Sequence, residues 1–282
     1  MDNLRLGDKW RSLAKTVGGR VVKQQYGEHE PYLFVKRGLI ELTHGDVPKH
    51  INNYHLQLPK ELCNRHLALV DIENCGFPLS SPIHTISMGM INGEFLIRTY
   101  FAMDYSQEKA ILRETLSLLK KADLVFTYNG DSFDIARLSK RMAAYGMFEQ
   151  NGHHDLKGIL AGKHIDLYPL VNSYAQRKGK PLLDRKLQTL ETVLYETHRE
   201  DEVQGKDIPG VYERFVEGSR DDFEMGRRIE QMAKVINHNV LDVASMGAVL
   251  EDLRRNAQDI VPAVMRGKVV SIPYASDLSR AA

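Results

Sequence analysis

Four acidic residues lie in three separate segments of the chain where carboxylates could hold cations. Asp71 and Glu73 end the apolar run HLALVDIE, Asp134 belongs to the segment YNGDSFD, and Asp242 ends the segment HNVLD. A carboxylate at the end of a buried strand or on a buried helix is unfavourable unless it binds something positive. We therefore expect these acids to bind a pair of divalent metal ions.

The first two acids are separated by one residue within a predicted strand. Side chains alternate along a strand, so Asp71 and Glu73 point to one face and Ile72 points to the other. Two carboxylates this close repel each other unless a cation neutralises them, one is protonated, or both lie in water. The motif alone leaves open a strand end that emerges into solvent, because D-x-E is common.

The third acid lies in the first turn of a helix predicted over residues 132–146. This helix follows DLVFTYN, a second apolar strand. A carboxylate in the first turn could merely complement the helix dipole. Asp131 and Ser132 are better placed to cap the helix, which leaves Asp134 available for another role.

The fourth acid follows a histidine by one helical turn. His238 and Asp242 are four residues apart in VINHNVLDVASM, a spacing that places both on one face of a helix. A histidine beside a metal ligand is positioned to act as a general base. The structural alternative is that His238 caps or packs a junction between a helix over residues 222–237 and the helix that carries Asp242.

Together these residues resemble the three exonuclease motifs of the DEDD group in the ribonuclease H-like superfamily. The resemblance rests on D-x-E, on N-x-x-x-F-D as Asn129, Phe133 and Asp134, and on the acid four positions after His238. It extends over residues 66–253 and is nearest to the YprB-like branch and to the proofreading domain of family B DNA polymerases. In the group, a histidine base usually precedes the last acid by five positions and a tyrosine by four; here a histidine occupies the four-residue spacing.

The resemblance implies a two-metal-ion-dependent 3′–5′ exonuclease. Such an enzyme hydrolyses phosphodiester bonds at single-stranded DNA or RNA ends and releases nucleoside monophosphates. Oxygen ligands select Mg²⁺ or Mn²⁺. The resemblance assigns the two ions to Asp71, Glu73, Asp134 and Asp242, with Asp71 bridging them, and gives His238 the proton of the attacking water.

Four further residues are candidates for contact with the nucleic acid. Asn129 could hydrogen-bond the substrate strand or order its turn, and Phe133 could stack on a base or pack under the helix. Arg137 and Arg141 share a helical face and could meet phosphates or remain solvated. DNA and RNA are not distinguished, because no residue is identified as a contact to a 2′-hydroxyl.

The sequence leaves two other function classes open. One is a catalytically silent ribonuclease H-like domain that binds nucleic acid or protein, against which the complete set of acids with a base candidate counts. The other is a two-metal endonuclease that cuts internally. The Asn-Phe-Asp motif favours exonuclease action, because it accompanies end binding in the family.

The order of the elements indicates an α/β fold, with a mixed five-stranded sheet flanked by helices, as in the ribonuclease H-like fold. A hairpin turns at Asn92-Gly93, a helix spans residues 106–121, and HID at residues 164–166 forms the fifth strand. Asp166 on that strand could orient a ligand or form a buried ion pair. We expect three regions: an N-terminal extension over residues 1–65 with a short helix and a possible hairpin around YLFVKRGLIEL, an exonuclease domain over residues 66–256, and a C-terminal tail over residues 257–282.

Composition narrows the class of protein further. A formal net charge of +1 over 282 residues argues against a strongly basic protein that coats nucleic acid. Cys63 and Cys75 lack a metal-ligand spacing and indicate reduced thiols. The N-terminus lacks an apolar signal core, and no run of 18 apolar residues occurs, so the sequence predicts a soluble, cytoplasmic protein without a membrane partner.

Overall fold

The computed structural model describes residues 2–22, 32–38, 66–92, 94–148, 155–199 and 202–257. Within these residues, seven strands form one mixed sheet. The strands are β1 (Arg20–Val22), β2 (Tyr32–Gly38), β3 (Leu67–Asn74), β4 (Ile83–Asn92), β5 (Glu94–Phe101), β6 (Leu124–Thr127) and β7 (His164–Asp166). Their order across the sheet is β1-β2-β5-β4-β3-β6-β7.

Strand β3 lies between an antiparallel and a parallel neighbour. It pairs with β4 in antiparallel register, with Asp71 opposite Ser87, and it pairs with β6 in parallel register. β6 in turn pairs in parallel with β7, with Thr127 opposite Asp166. The carboxyl ends of these three parallel strands therefore meet at one edge of the sheet, where the acids of β3 lie.

Helices cover both faces of the sheet. They are α1 (Asp2–Thr16), α2 (Glu108–Lys121), α3 (Asp134–Ala144), α4 (Leu156–Leu160), α5 (Leu167–Arg177), α6 (Leu187–Tyr195), α7 (Ile208–Glu217) and α8 (Asp222–Asn256). Leu69 of β3 shares a core with Val240 and Val243 of α8. Val70, the next residue along the strand, shares the opposite core with Leu112 of α2. Alternation along β3 thus directs one set of side chains to α8 and the other to α2 and α3.

The predicted fold class is confirmed, and the sheet gains two strands. The hairpin at Asn92 pairs as expected, and the helices predicted over residues 106–121 and 132–146 are found as Glu108–Lys121, after a 3₁₀ turn at Tyr105–Gln107, and Asp134–Ala144. The additional strands come from the N-terminal region, where β2 pairs with both β1 and β5. The remainder of the predicted N-terminal hairpin, the irregular stretch after it, Cys63 and the tail beyond residue 257 lie outside the described residues.

The helix junction that was the structural alternative for His238 is absent. α8 is one continuous helix of 35 residues that begins at an Asp221 cap, whose side chain accepts a hydrogen bond from the Glu224 amide. Asn239 is fully buried and His238 nearly so, so both are held on the packed side of the helix rather than in a junction. Tertiary packing has overridden the weak helix propensity of the Asn-His-Asn segment.

Within the described part of the chain, no helix combines the length and the apolar character needed to span a bilayer.

Candidate active site

The acids of β3 face α8, as the strand alternation predicts. The side-chain amide of Asn239 donates a hydrogen bond to Oδ2 of Asp71 at 2.6 Å. Oε1 of Glu73 lies 3.6 Å from Nε2 of His238. Ile72 between them is buried in the opposite core. The two carboxylates therefore occupy one small volume under α8.

Asp134 reaches the same place from the N-terminus of α3. Its side chain is buried, and Oδ1 accepts a hydrogen bond from the backbone amide of Ile72 at 3.2 Å. The cap predicted at Asp131 or Ser132 is wrong, because α3 begins without a side-chain cap. Asp134 is thus tied to the strand that carries the other two acids, across a sequence separation of 62 residues.

His238 and Asp242 meet Glu73 from α8. Nε2 of His238 lies 3.5 Å from Oδ2 of Asp242, one turn along the helix. One ligand atom from each of Glu73, His238 and Asp242 lies within 4.8 Å of the others, a spacing compatible with a shared metal ion. The five residues predicted to carry the chemistry therefore converge, although they come from three elements.

Burial and mutual repulsion disfavour ionisation of the acids. Burial first, and then the charges of Asp242, Asp134 and Glu73, hold the pKa of Asp71 well above its ordinary value. Burial likewise raises the pKa of Glu73 to about 8, partly offset by His238, and the pKa of Asp134 to about 7. A bound cation would reverse this penalty, so the cluster is suited to bind one.

The negative charges that disfavour ionised acids favour the protonated form of His238. Burial lowers its pKa, but Asp242, Glu202 and Glu73 outweigh burial and raise the pKa to about 9. Nδ1 of His238 lies 2.5 Å from Oε1 of Glu202, while Nε2 faces Glu73 and Asp242. The imidazole is thus held by acids on both of its nitrogens.

Three charged residues of the site were missed by the sequence prediction: Arg199, Glu191 and Glu202. The Arg199 guanidinium lies 2.6 Å from Asp242, Glu191 and Glu202 alike, and its side chain is 3% exposed. Arg199 and Glu202 belong to ETHREDEVQG, a charged segment that looks solvated in the sequence. No sequence motif links that segment to residues 71–73, so only the tertiary structure places Arg199 and Glu202 at the site.

The turn before α3 is ordered by Asp166. Its carboxylate accepts hydrogen bonds from the backbone amides of Asn129 at 2.7 Å and Asp131 at 3.2 Å. Asn129 adopts a left-handed conformation with φ of 58°, and its side-chain oxygen accepts from Ser132. Of the alternatives for Asp166, the structure supports an orienting role, exerted on the backbone rather than on a ligand side chain. Asn129 orders this turn.

The predicted phosphate-binding arginines are engaged by the protein itself. Arg137 donates to the backbone oxygen of Phe77, and Arg141 donates to that of Ser80 and to both carboxylate oxygens of Glu108. These contacts hold the loop after β3 against α3, which differs from the phosphate contact expected from sequence.

Phe133 lies at the surface beside α3. It is 37% exposed, and the Arg137 guanidinium lies 3.6 Å from its ring centroid. Packing under the helix therefore does not describe this side chain. Its outer ring surface remains accessible for a base to stack.

The donor set fits a hard divalent cation. Among the described residues around the site, carboxyl groups outnumber basic groups, and the carboxylates of Asp71, Glu73, Asp134 and Asp242 supply oxygen ligands. Oxygen ligands suit Mg²⁺ and Mn²⁺, whereas thiolate-rich sites suit zinc. The acids could hold such an ion without further side chains.

Comparisons with known proteins indicate which family the chain resembles. The model of the RNase_H superfamily matches residues 68–254, more than half of the chain and all five residues of the cluster. A segment of 100 residues is 31% identical to a DNA polymerase of Methanocaldococcus jannaschii, covering 31% of this chain and 6% of that protein. Among solved structures, the family B DNA polymerase from the hyperthermophilic archaeon Pyrobaculum calidifontis is similar, with a TM-score of 0.48 and 16% identity over 67% of this chain and 25% of that one. The chain therefore matches a small part of either polymerase.

Proposed function

The chain belongs to the RNase_H superfamily, and from that premise we propose that it is a divalent-metal-dependent 3′–5′ exonuclease. Its substrate is the single-stranded end of DNA or RNA, and its products are nucleoside monophosphates. The observation that carries the proposal is the convergence of Glu73, His238 and Asp242 within 4.8 Å, with Asp71 and Asp134 beside them.

The acids have a defined task in this proposal. Asp71, Glu73 and Asp242 would hold one cation, and Asp71 with Asp134 would hold a second. When bound, Mg²⁺ or Mn²⁺ supplies charge stabilisation at the phosphate and lowers the barrier to attack by water. The protein contributes the fixed positions of the carboxylates, which the backbone of β3 and the packing of α8 maintain.

The remaining side chains orient water and the substrate strand. His238 is the base that accepts the proton of the attacking water at Nε2, which faces Glu73 and Asp242. Cations bound to these two acids would neutralise charges that raise the pKa of His238 to about 9 in the metal-free protein, and so would free Nε2 to accept that proton. Phe133 offers an exposed ring for the terminal bases. Asn129 and the two arginines hold the turn before α3 and the loop after β3 in place.

A nuclease assay on end-labelled substrates tests the proposal. The protein is incubated with Mn²⁺ or Mg²⁺ on 5′-labelled single- and double-stranded DNA and RNA. We expect a ladder that shortens from the 3′ end of single strands and disappears with EDTA. A single internal product would indicate an endonuclease instead, and absence of product would indicate a silent domain.

A further inference from the structure

The segment between α6 and α7 supplies two charged residues to the α8 side of the site. Glu202 contacts Nδ1 of His238 at 2.5 Å, and Arg199 contacts Oδ1 of Asp242 at 2.6 Å. Neither contact involves Nε2 of His238 or Oδ2 of Asp242, the two atoms that face each other at 3.5 Å. One polar atom of His238 and one of Asp242 therefore contact this segment, and the other polar atom of each remains on the side of the site.

The contact with Glu202 determines how the imidazole is oriented. A carboxylate paired with Nδ1 restrains the ring and leaves Nε2 as the atom that faces the site. Nε2 of His238 accordingly lies between Glu73 and Asp242, at 3.6 and 3.5 Å. Without Glu202, the ring could rotate about its side-chain bonds and lose this direction.

The contact with Arg199 determines how the Asp242 carboxylate is turned. Oδ1 of Asp242 pairs with the guanidinium, while Oδ2 faces His238. Arg199 is itself fixed by two hydrogen bonds from its guanidinium to Glu191, at 2.8 and 2.6 Å. Glu191 is fully buried and accepts a further hydrogen bond from Ser245 of α8. A planar guanidinium held at both ends is a rigid support.

We propose that Glu202 and Arg199 are positioning residues: Glu202 orients His238 as the base, and Arg199 orients Asp242 as a cation ligand. This inference rests on the proposed nuclease function. It predicts that the two residues act through their α8 partners and not through the substrate.

Glu202→Gln tests the first half through kinetics. We expect kcat to fall about 10- to 100-fold while KM for a single-stranded substrate is unchanged, because the base is misdirected but the strand still binds. Glu196→Gln is the matched control, since Glu196 lies in the same segment and its side chain is 82% exposed. In a His238→Asn background, Glu202→Gln should cause no further loss. If the fold losses in kcat from Glu202→Gln and His238→Asn multiply in the double variant, the inference is overturned.

Nuclear magnetic resonance tests the same contact without activity. In the metal-free wild type, Nδ1 of His238 should carry a proton shifted downfield by its carboxylate acceptor. Glu202→Gln should move that proton upfield, and Glu196→Gln should leave it in place. An unprotonated Nδ1 in the wild type would overturn the inference even if Glu202→Gln failed to fold.

Calorimetric titration with Mn²⁺ tests the second half. Arg199→Lys keeps the charge but loses the fork of donors, so we expect about tenfold weaker Mn²⁺ binding. Arg227→Lys is the control, because the Arg227 side chain is exposed and pairs with Glu224 instead of an acid of the site. Unchanged affinity in Arg199→Lys would refute the role of Arg199. If the wild type binds Mn²⁺ but cleaves no nucleic acid, the proposed function fails while the positioning of Asp242 stands.

Discussion

At the scale of single residues, the site combines carboxylates of β3 with charged side chains that hold their partners on α8. Asp71 and Glu73 interrupt an apolar strand, and a charge in such a place needs a physical reason. Arg199 and Glu202 are charged residues in a charged segment, so their types give no signal. Their side chains lie against Asp242 and His238 of α8, and such contacts are a property of the tertiary structure.

Asp71→Asn should abolish activity without unfolding the protein. The amide keeps a hydrogen-bond acceptor for Asn239 but loses the charge that a cation needs, so we expect a loss on the order of 1,000-fold or more in kcat. The melting temperature of the metal-free protein should rise, because repulsion within the cluster falls. Asp222→Asn, at the exposed start of α8, is the control. Near-normal turnover in Asp71→Asn would refute the assignment.

The pKa values of the cluster predict how stability varies with pH. The pKa of Glu73 is raised to about 8 and that of Asp134 to about 7, so the native state without metal retains protons that the unfolded chain has released. Stability therefore falls as pH rises between the ordinary and the raised values. His238, whose pKa is raised to about 9, stabilises the native state fully below its ordinary value of 6.5 and loses this contribution as pH rises through 9.

Thermal unfolding between about pH 6 and pH 9 measures this effect. In EDTA, the melting temperature should fall steadily as pH rises, because all three groups act in the same direction. With Mg²⁺ present, the decline should be smaller, since the cation favours the ionised carboxylates. A melting temperature in EDTA that rises over this range would contradict the electrostatic account of the site.

At the scale of elements, periodicity and turn chemistry predicted most of what surrounds the site. The Asn92-Gly93 hairpin and helices α2 and α3 follow from local patterns. The continuity of α8 does not, because Asn237, His238 and Asn239 resemble a helix end. Packing against the sheet keeps the helix intact there, and this packing is what aligns His238 with Asp242.

Gly89→Ala should disturb the packing of α8 against the sheet. A Cβ atom at this position of β4 would lie 2.6 Å from Phe95 and 2.8 Å from Val243, which adjoins Asp242. We expect a loss of about 1–3 kcal/mol in the free energy of unfolding and weaker Mn²⁺ binding, because α8 must move. Urea unfolding and calorimetry measure both. Gly205→Ala, whose Cβ would meet nothing within 4 Å, should change neither, and a Gly89→Ala protein with wild-type stability and affinity would contradict this packing.

Arg141→Ala should behave as a stability mutation. It leaves the buried Glu108 carboxylate without its guanidinium partner, which we expect to destabilise the protein by about 3 kcal/mol. KM for single-stranded DNA should be unchanged, in contrast to a phosphate-binding arginine. Lys140→Ala, at the exposed neighbouring position, should affect neither quantity. A large rise in KM with unaltered urea unfolding would restore the phosphate-binding interpretation from sequence.

At the scale of the whole molecule, the sheet explains why distant residues meet. Strands β3 and β6 run in parallel, so the acids that end β3 and the turn that follows β6 reach the same edge. α8 crosses the face toward which Asp71 and Glu73 point. The sequence predicted the five strands β3 to β7, because their patterns are local. It did not predict that β1 and β2 extend the sheet, because strand pairing between β2 and β5 is set by tertiary contacts.

Anomalous diffraction from crystals soaked in Mn²⁺ would locate the cations at the proposed site without relying on turnover. We expect a peak among Asp71, Glu73 and Asp242, a second between Asp71 and Asp134, and loss of both in Asp71→Asn crystals. If crystals soaked in millimolar Mn²⁺ show no anomalous peak at these carboxylates, the four acids are not a metal site.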